Sequence, residues 1–370
     1  MIYYILLIGY AIICMSNING IYLLSKKTSV ILLSIPMFLL SAFRDTSIGP
    51  DTISYYYSFN YISNYSSLSE AIASSRMEPG YVALNYFFSY LGLTYFHMQI
   101  VISAFVIGSI AYFVYLYSDS VAFSFFLFLA NNLLFGTMNV VRMWIAVSIL
   151  LFSIRPIQSG KVLQFCFMIM IASLFHYSSL IFLLLYPFTK IKINFKKIAV
   201  SFLISVLICV FAIPFFTYLT NKIGNYSNYV NSTRFDTSDN IAVKISLAIS
   251  ICFFILATYT KCWIDNDGGH EGKSGKQKFY IFSLAYSAMI ISVCIDLIGL
   301  SNNIMGRIGY YFSVYNLILI PHSIFLIYKP KNRRIMTFLI LLLLSLKFII
   351  IMKFRPEWFM VTPYKTFIFS

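Results

Sequence analysis

The chain has 370 residues, of which 60% are hydrophobic and 19% aromatic, while only 11% are charged. That much apolar surface exceeds what a soluble core can bury and puts the chain among membrane proteins. The formal net charge of +15 does not point to nucleic acid, because the cations are spaced between bilayer-length apolar segments instead of forming one solvated stripe.

In chain order, apolar runs occupy 2–24, 29–43, 81–93, 97–117, 121–136, 139–154, 161–175, 177–189, 198–220, 241–262, 279–300, 307–328 and 335–352. The first is expected to persist as a helix, since Lys26 and Lys27 follow it, whereas a cleavable signal has its basic residues in front. Most lysines lie in segments flanking these runs on one side: Lys26/Lys27, Arg155 to Lys161, Lys190 to Lys197, Lys261 to Lys278 and Lys329 to Arg334. By the positive-inside rule that side is cytoplasmic. With Lys26 and Arg155 both inside, an odd number of spans must lie between residues 44 and 155. The run 81–93, well under the ~20 residues of a spanning helix, is therefore read as re-entrant or interfacial. The stretch 161–189 has basic segments at both ends and reads as a tight hairpin with its tip, near His176 and Tyr177, outside. The expectation is an all-α polytopic integral membrane protein of about twelve crossings. It forms a single membrane domain over 1–370, with short re-entrant or interfacial helices on the outer face and both termini outside.

Two outer loops have length. Residues 44–80 carry Tyr55, Tyr56, Tyr57, Tyr61 and Tyr65 among serines and asparagines, a mixture suited to short helices at the headgroup level whose rings anchor the interface or stack on sugars. Residues 221–240 are polar and rich in asparagine. On the inner side, 263–278 is a charged, Gly-rich linker that lacks the GxxxxGK[ST] spacing of a phosphate-binding loop. The six cysteines stand singly, mostly inside apolar runs, and read as packing residues.

Three arginines, Arg44, Arg142 and Arg307, lie at the opposite ends of apolar runs from the lysines, so each calls for an anionic partner or substrate. Arg44 opens the turn Arg44-Asp45-Thr46-Ser47-Ile48-Gly49-Pro50-Asp51, where Asp45 or Asp51 would pair with it and Asp51 would cap the following helix. Glu78-Pro79-Gly80 opens the short run 81–93, with Glu78 either capping it or facing the site. Asn139 and Arg142 are expected on one face, at i and i+3, in the first turn of helix 139–154. A cation there opposes the helix dipole and needs a nearby anion. Arg307 repeats the arrangement below Tyr310 and Tyr311, with Asp296 as the alternative, structural partner. His176 is the one histidine of four placed outside, near the membrane surface and in a polar cluster. His97, His270 and His322 form no ligand set with it, and the outer segments hold no HExxH, DxD or Asp-rich cluster, so neither a metal nor a cofactor is expected.

Arg44-Asp45 with Gly49 and Asp51, Glu78-Pro79-Gly80-Tyr81, Asn139-x-x-Arg142 with Ile145-Ala146, Phe175-His176-Tyr177-Ser178-Ser179, and Arg307 with Tyr310/Tyr311 occur in a telling order. In that order and spacing the chain resembles the EpsG-like branch of the Wzy-type O-antigen and polysaccharide polymerases over nearly its full length. Met143 departs from the glutamine that often follows the arginine in relatives. The resemblance implies a GT-C-like, multi-pass glycosyltransferase of the bacterial inner membrane with a periplasmic active face. Such an enzyme transfers a growing glycan from undecaprenyl pyrophosphate to the non-reducing end of another lipid-linked repeat unit. Implied partners are the lipid-linked oligosaccharide, the bilayer and a chain-length regulator protein, with no nucleic acid.

The chemistry agrees with these residues. Cleaving a glycosyl phosphate bond develops charge on a pyrophosphate, which preorganised arginines can meet without a metal. Arg142 and Arg307, helped by Arg44, are the expected clamp, with Asn139, Tyr311 and Tyr364 as further substrate contacts. Tyr364 is included because Pro363-Tyr364 recurs in relatives. The general base for the attacking hydroxyl is His176, Asp51 or Glu78. His176 is preferred because Asp51 reads as the partner of Arg44. Two rival functions remain: a flippase of the same lipid-linked sugars, which would carry midplane charges and paired broken helices with internal repeats, whereas here most ionisable residues stay near helix ends with Lys347 the chief exception, and an O-antigen ligase.

Overall fold

The computed structural model of the chain describes residues 1–22, 24–190, 198–200, 202–204, 206–207, 210–211, 241–267, 273–300, 307–327 and 329–368. The described residues are almost wholly helical, as expected for a chain whose backbone polar groups must be satisfied inside lipid. Two compact units form: Met1–Ile181 with Ile324–Ser370, and Phe182–Ser323.

The first unit begins with α1 (Ile2–Ile18) and α2 (Lys26–Ala42). Ser25 caps α2 by accepting the Thr28 N–H through its side chain. Three short helices follow: α3 (Thr52–Ile62), α4 (Leu68–Ser74) and α5 (Pro79–Tyr90). They share a small core of Ile62, Ala71 and Val82, with Tyr65, Met77 and Tyr86 packed around it. At twelve residues, α5 is about 18 Å long, too short to cross a ~30 Å hydrocarbon layer.

Next comes α6 (Tyr95–Tyr117), which runs antiparallel to α2. Lys26 Nζ donates to the Ser118 carbonyl at one end of the pair (2.7 Å), the Ser41 and Ser103 hydroxyls bond farther along, and Gln99 donates to the Ala42 carbonyl at the other end. The next apolar run breaks into α7 (Val121–Ala130) and α8 (Leu133–Asn139), bent by 59° where Asn132 takes the left-handed conformation at φ 60°. Then come α9 (Val141–Leu151), α10 (Ile154–Gln158), α11 (Val162–Ser173) and the start of a 3-10 stretch at Tyr177–Leu184, within which the division between the units falls. The long helix Pro330–Phe354 completes this unit. The tail after it is stitched to the turn following α2: Arg44 and Thr366 form an antiparallel bridge, and Asp45 N–H donates to the Lys365 carbonyl.

The second unit holds α12 (Leu185–Lys190), Ile241–Asp267, Lys273–Gly299, Tyr310–Ser313 and most of Asn316–Phe325. Its two long helices extend into the segment expected as a 263–278 linker. Ser250 donates to Asp296 at 2.6 Å, and Phe254 and Phe282 stack on Tyr286.

Among the described residues, four helices are long and apolar enough to cross a membrane, and five if the bent α7–α8 pair is one span. The chain is thus a helical, multi-pass membrane protein. Two expected elements differ. The run 139–154 is not one helix from Asn139, because the backbone breaks at Val140 (φ −93°, ψ 60°). The run 307–328 is divided at Gly309 and again after Ser313. The loop 221–240 and much of 198–220 lie outside the described residues.

Candidate functional site

At the end of the first unit where α5 and α9 begin and α11 stops, three side chains converge. Glu78 occupies the N-cap position of α5, but its carboxylate does not cap the helix. One oxygen accepts from Arg142 Nη1, and the other lies 2.7 Å from His176 Nδ1. Glu78 therefore bridges a guanidinium and an imidazole. Of the two expected roles, capping or facing the site, the carboxylate takes the second: both of its oxygens are engaged by Arg142 and His176 and not by the helix N–H groups.

Two local features make the convergence possible. The Gly80 N–H donates to the Leu174 carbonyl at 2.8 Å, and a Cβ on Gly80 would come within 2.8 Å of that oxygen and 2.9 Å of the Leu174 Cβ. Only glycine lets the two chains approach so closely, and that approach brings the residue two beyond Leu174, His176, to Glu78. On the other side, the break at Val140 starts a new helix and leaves Arg142 in its first turn. The dipole there disfavours a cation, and Glu78 supplies the anion.

Burial is graded across the cluster. The Glu78 side chain is 6% exposed, Arg142 25% and His176 30%. Burial raises the Glu78 carboxyl pKa, but the His176 hydrogen bond and the Arg142 charge outweigh it and hold the group below the usual glutamate range. Glu78 is ionised at neutral pH and can only accept, so His176 Nδ1 must be the donor. That leaves Nε2 as the acceptor whenever the ring is neutral. Tyr55 packs its ring 5.9 Å from the Arg142 guanidinium, with Tyr81 behind it at 5.6 Å. Tyr55 is buried and packs against Arg142. No sequence signal separated it from the neighbouring tyrosines of α3; its spacing one turn from Asp51 was the only hint.

Asn139 and Asp51 meet beside the cluster, where the Asp51 N–H donates to Asn139 Oδ1 at 2.9 Å. Asn139 closes α8 and Arg142 opens α9, so the expected shared helical face does not form. Asp51 is at the N-cap of α3 without a side-chain capping bond. Gly49, at φ 89°, lets this turn approach the Met138 carbonyl, which a Cβ would meet at 3.3 Å.

Arg44 sits differently. It is 2% exposed, and its guanidinium donates to the Ser41 carbonyl and, at 3.2 Å, to the Met138 carbonyl. Those bonds go to helix-terminal carbonyls in place of the expected pairing with Asp45 or Asp51. The Asp45 carboxylate instead accepts the N–H and hydroxyl of Ser47, and these bonds hold it below the usual aspartate range. Tyr364 donates to the Leu40 carbonyl at 3.1 Å and packs edge-on against Tyr3, so it belongs to this buried corner.

Arg307 and Tyr311 lie in the second unit. Arg307 is exposed and Tyr311 is buried at 1%, where Phe182 stacks on the adjacent Phe312. Asp296, the alternative partner of Arg307, accepts from Ser250. Among the described residues no cluster of His, Cys, Asp and Glu has the composition of a metal site.

No curated protein and no solved structure matches the chain. A family model does, over residues 27–366, a span that takes in Arg44, Asp51, Glu78, Asn139, Arg142, His176, Arg307, Tyr311 and Tyr364. By that match across nearly its whole length, the chain belongs to the EpsG family.

Proposed function

We propose that this protein is a polysaccharide polymerase. It transfers a growing glycan from undecaprenyl pyrophosphate to the non-reducing end of a second lipid-linked repeat unit, at the outer face of the bacterial cytoplasmic membrane. Membership of the EpsG family suggests a polymerase-like function. The observation that carries the residue-level reading is one buried carboxylate, Glu78, bridging two partly open groups of complementary use, the Arg142 cation and the His176 ring. The twelve-crossing, GT-C-like architecture with this end outward belongs to the same proposal.

The roles follow from the geometry. The acceptor hydroxyl attacks the anomeric carbon of the donor glycan. Its proton passes to His176 Nε2, the bond from that carbon to the pyrophosphate oxygen breaks, and the electron pair leaves with the pyrophosphate. Glu78 holds the His176 tautomer and stabilises the imidazolium as it forms. Arg142 has donors beyond the one engaged by Glu78, and these meet the charge developing on the leaving group. Arg307 is the proposed second cation, and Asn139 and Asp51 fix the turn against which the acceptor rests. Arg44, whose bonds go to buried carbonyls, acts by holding the turn and not by contacting phosphate.

One observation favours the transporter reading. Lys347, inside the helix Pro330–Phe354, reaches Asn131 at the α7–α8 break (3.4 Å), and polar groups at broken helices are a transporter feature. Purified protein given lipid-linked repeat units separates the two. The polymerase produces a ladder of lengthened glycans, whereas translocation without elongation would select the transporter. Transfer onto a lipid A core acceptor in place of a second repeat unit would select a ligase.

A further inference from the structure

The opposite end of the first unit carries a second concave site. A cavity of about 560 Å³ opens between the last turns of α6 and the α9–α10 junction, inside the ~300–1,000 Å³ range of small-molecule sites. Its floor is apolar and buried, made by Phe113 and Leu151. The rim is aromatic: Tyr112 and Phe152 stack at 6.1 Å with an interplanar angle of 28°, and Tyr117 stands beside them. Arg155 closes the rim and reaches the Tyr112 hydroxyl at 3.4 Å. Arg155 lines the cavity, and the ion pairs among the described residues do not include it. This is the end where Lys26 meets Ser118, and where the sequence sets its basic flanks against apolar runs.

We infer that this cavity is a binding site for an anionic phospholipid, with one acyl chain over Phe113 and Leu151 and the phosphate on Arg155. An apolar floor of buried Phe113 and Leu151 suits a hydrocarbon chain. A guanidinium flanked by phenolic hydroxyls at the chain's polar end suits a phosphodiester, which it can engage through two N–H groups. A zwitterionic headgroup adds an ammonium against the Arg155 charge, so the anionic lipid is preferred. The site is at the other end of α6 and α9 from Glu78 and Arg142, and it stands whether or not the proposed polymerase chemistry is right.

The test uses the delipidated full-length protein in mild detergent. Binding of phosphatidylglycerol and of phosphatidylcholine with identical chains is measured by thermal shift and by native mass spectrometry. Wild type and Lys161→Gln, a change to a neighbouring exposed cation outside the cavity, are expected to bind phosphatidylglycerol on the order of tenfold more tightly. Arg155→Gln is expected to abolish that preference, and Arg155→Lys, which keeps the charge and loses the fork, to retain part of it. Three results would overturn the inference: equal binding of the two lipids by wild type, an undiminished preference in both Arg155 variants, or the same stabilisation by glycerol phosphate, which would make this a site for a free anion. Should Arg155→Gln fail to fold, Arg155→Lys decides by the number of phosphatidylglycerol molecules it retains.

Discussion

Arg44 and Arg142 look alike in the sequence, each a cation at the lysine-poor end of an apolar helix, yet the protein uses them in opposite ways. Arg44 is buried, and its donors close off the Ser41 and Met138 carbonyls where helices end. Arg142 keeps a quarter of its side chain exposed and shares Glu78 with His176. A guanidinium bonded to neutral carbonyls inside a packed turn is a clamp on the fold. One paired with a carboxylate at an open rim keeps donors for a ligand. Placement at a helix end is the same in both; what differs is whether the neighbouring acid is turned inward to meet the cation.

The comparison can be broken first at His176. His176→Ala removes the proposed base and should lower glycan extension by about 10²–10⁴-fold with the protein still inserted, as read from ladder formation by the purified variant. Glu78→Gln keeps the shape but removes the charge that orients the ring and neutralises Arg142, and extension should fall about 10–100-fold. Because the Glu78 pKa is depressed in the fold, its contribution to stability is present above the ordinary carboxylate range and is lost as pH falls through the folded value. Acid unfolding curves of Glu78→Gln should therefore lack that part of the wild-type decline. Gly80→Ala forces α5 away from Leu174 and should reduce extension roughly tenfold by parting Glu78 from His176, in line with the sensitivity of catalysis to small misplacements. Arg44→Met should have the smallest effect on activity per folded molecule. Its cost of about 2 kcal/mol should appear in thermal stability, because the Ser41 carbonyl loses its side-chain donor and the Met138 carbonyl is left with the Thr52 hydroxyl. A large loss of activity with unchanged stability would make Arg44 a second Arg142.

The membrane class and the segments that matter were legible because they depend on local pattern. Apolar runs and lysine flanks needed no knowledge of contacts, and the placement of Glu78, Arg142 and His176 beyond the lysine side marked them as candidates. The partnerships were not legible. Glu78 meets Arg142 across 64 positions of sequence and His176 across 98, and no spacing rule reaches that far. Local rules also fell short in three places. They left Glu78 between a cap and a site residue, when distant Arg142 and His176 engage both carboxylate oxygens. They put Asn139 and Arg142 on one helix, when the chain breaks at Val140. They gave Arg44 an acid, when Ser47 had already engaged Asp45 and carbonyls lay nearer. Tyr55 was hidden for a related reason: in a run of three tyrosines only the fold reveals which ring turns inward.

The most direct test is extension of lipid-linked repeat units by the purified Arg142→Ala protein, with insertion and folding checked beside wild type. If the cation next to Glu78 meets the charge of the departing pyrophosphate, single repeat units should remain unextended, with activity reduced by about 10²–10³-fold. Ladders of wild-type length from a folded Arg142→Ala protein would contradict the account.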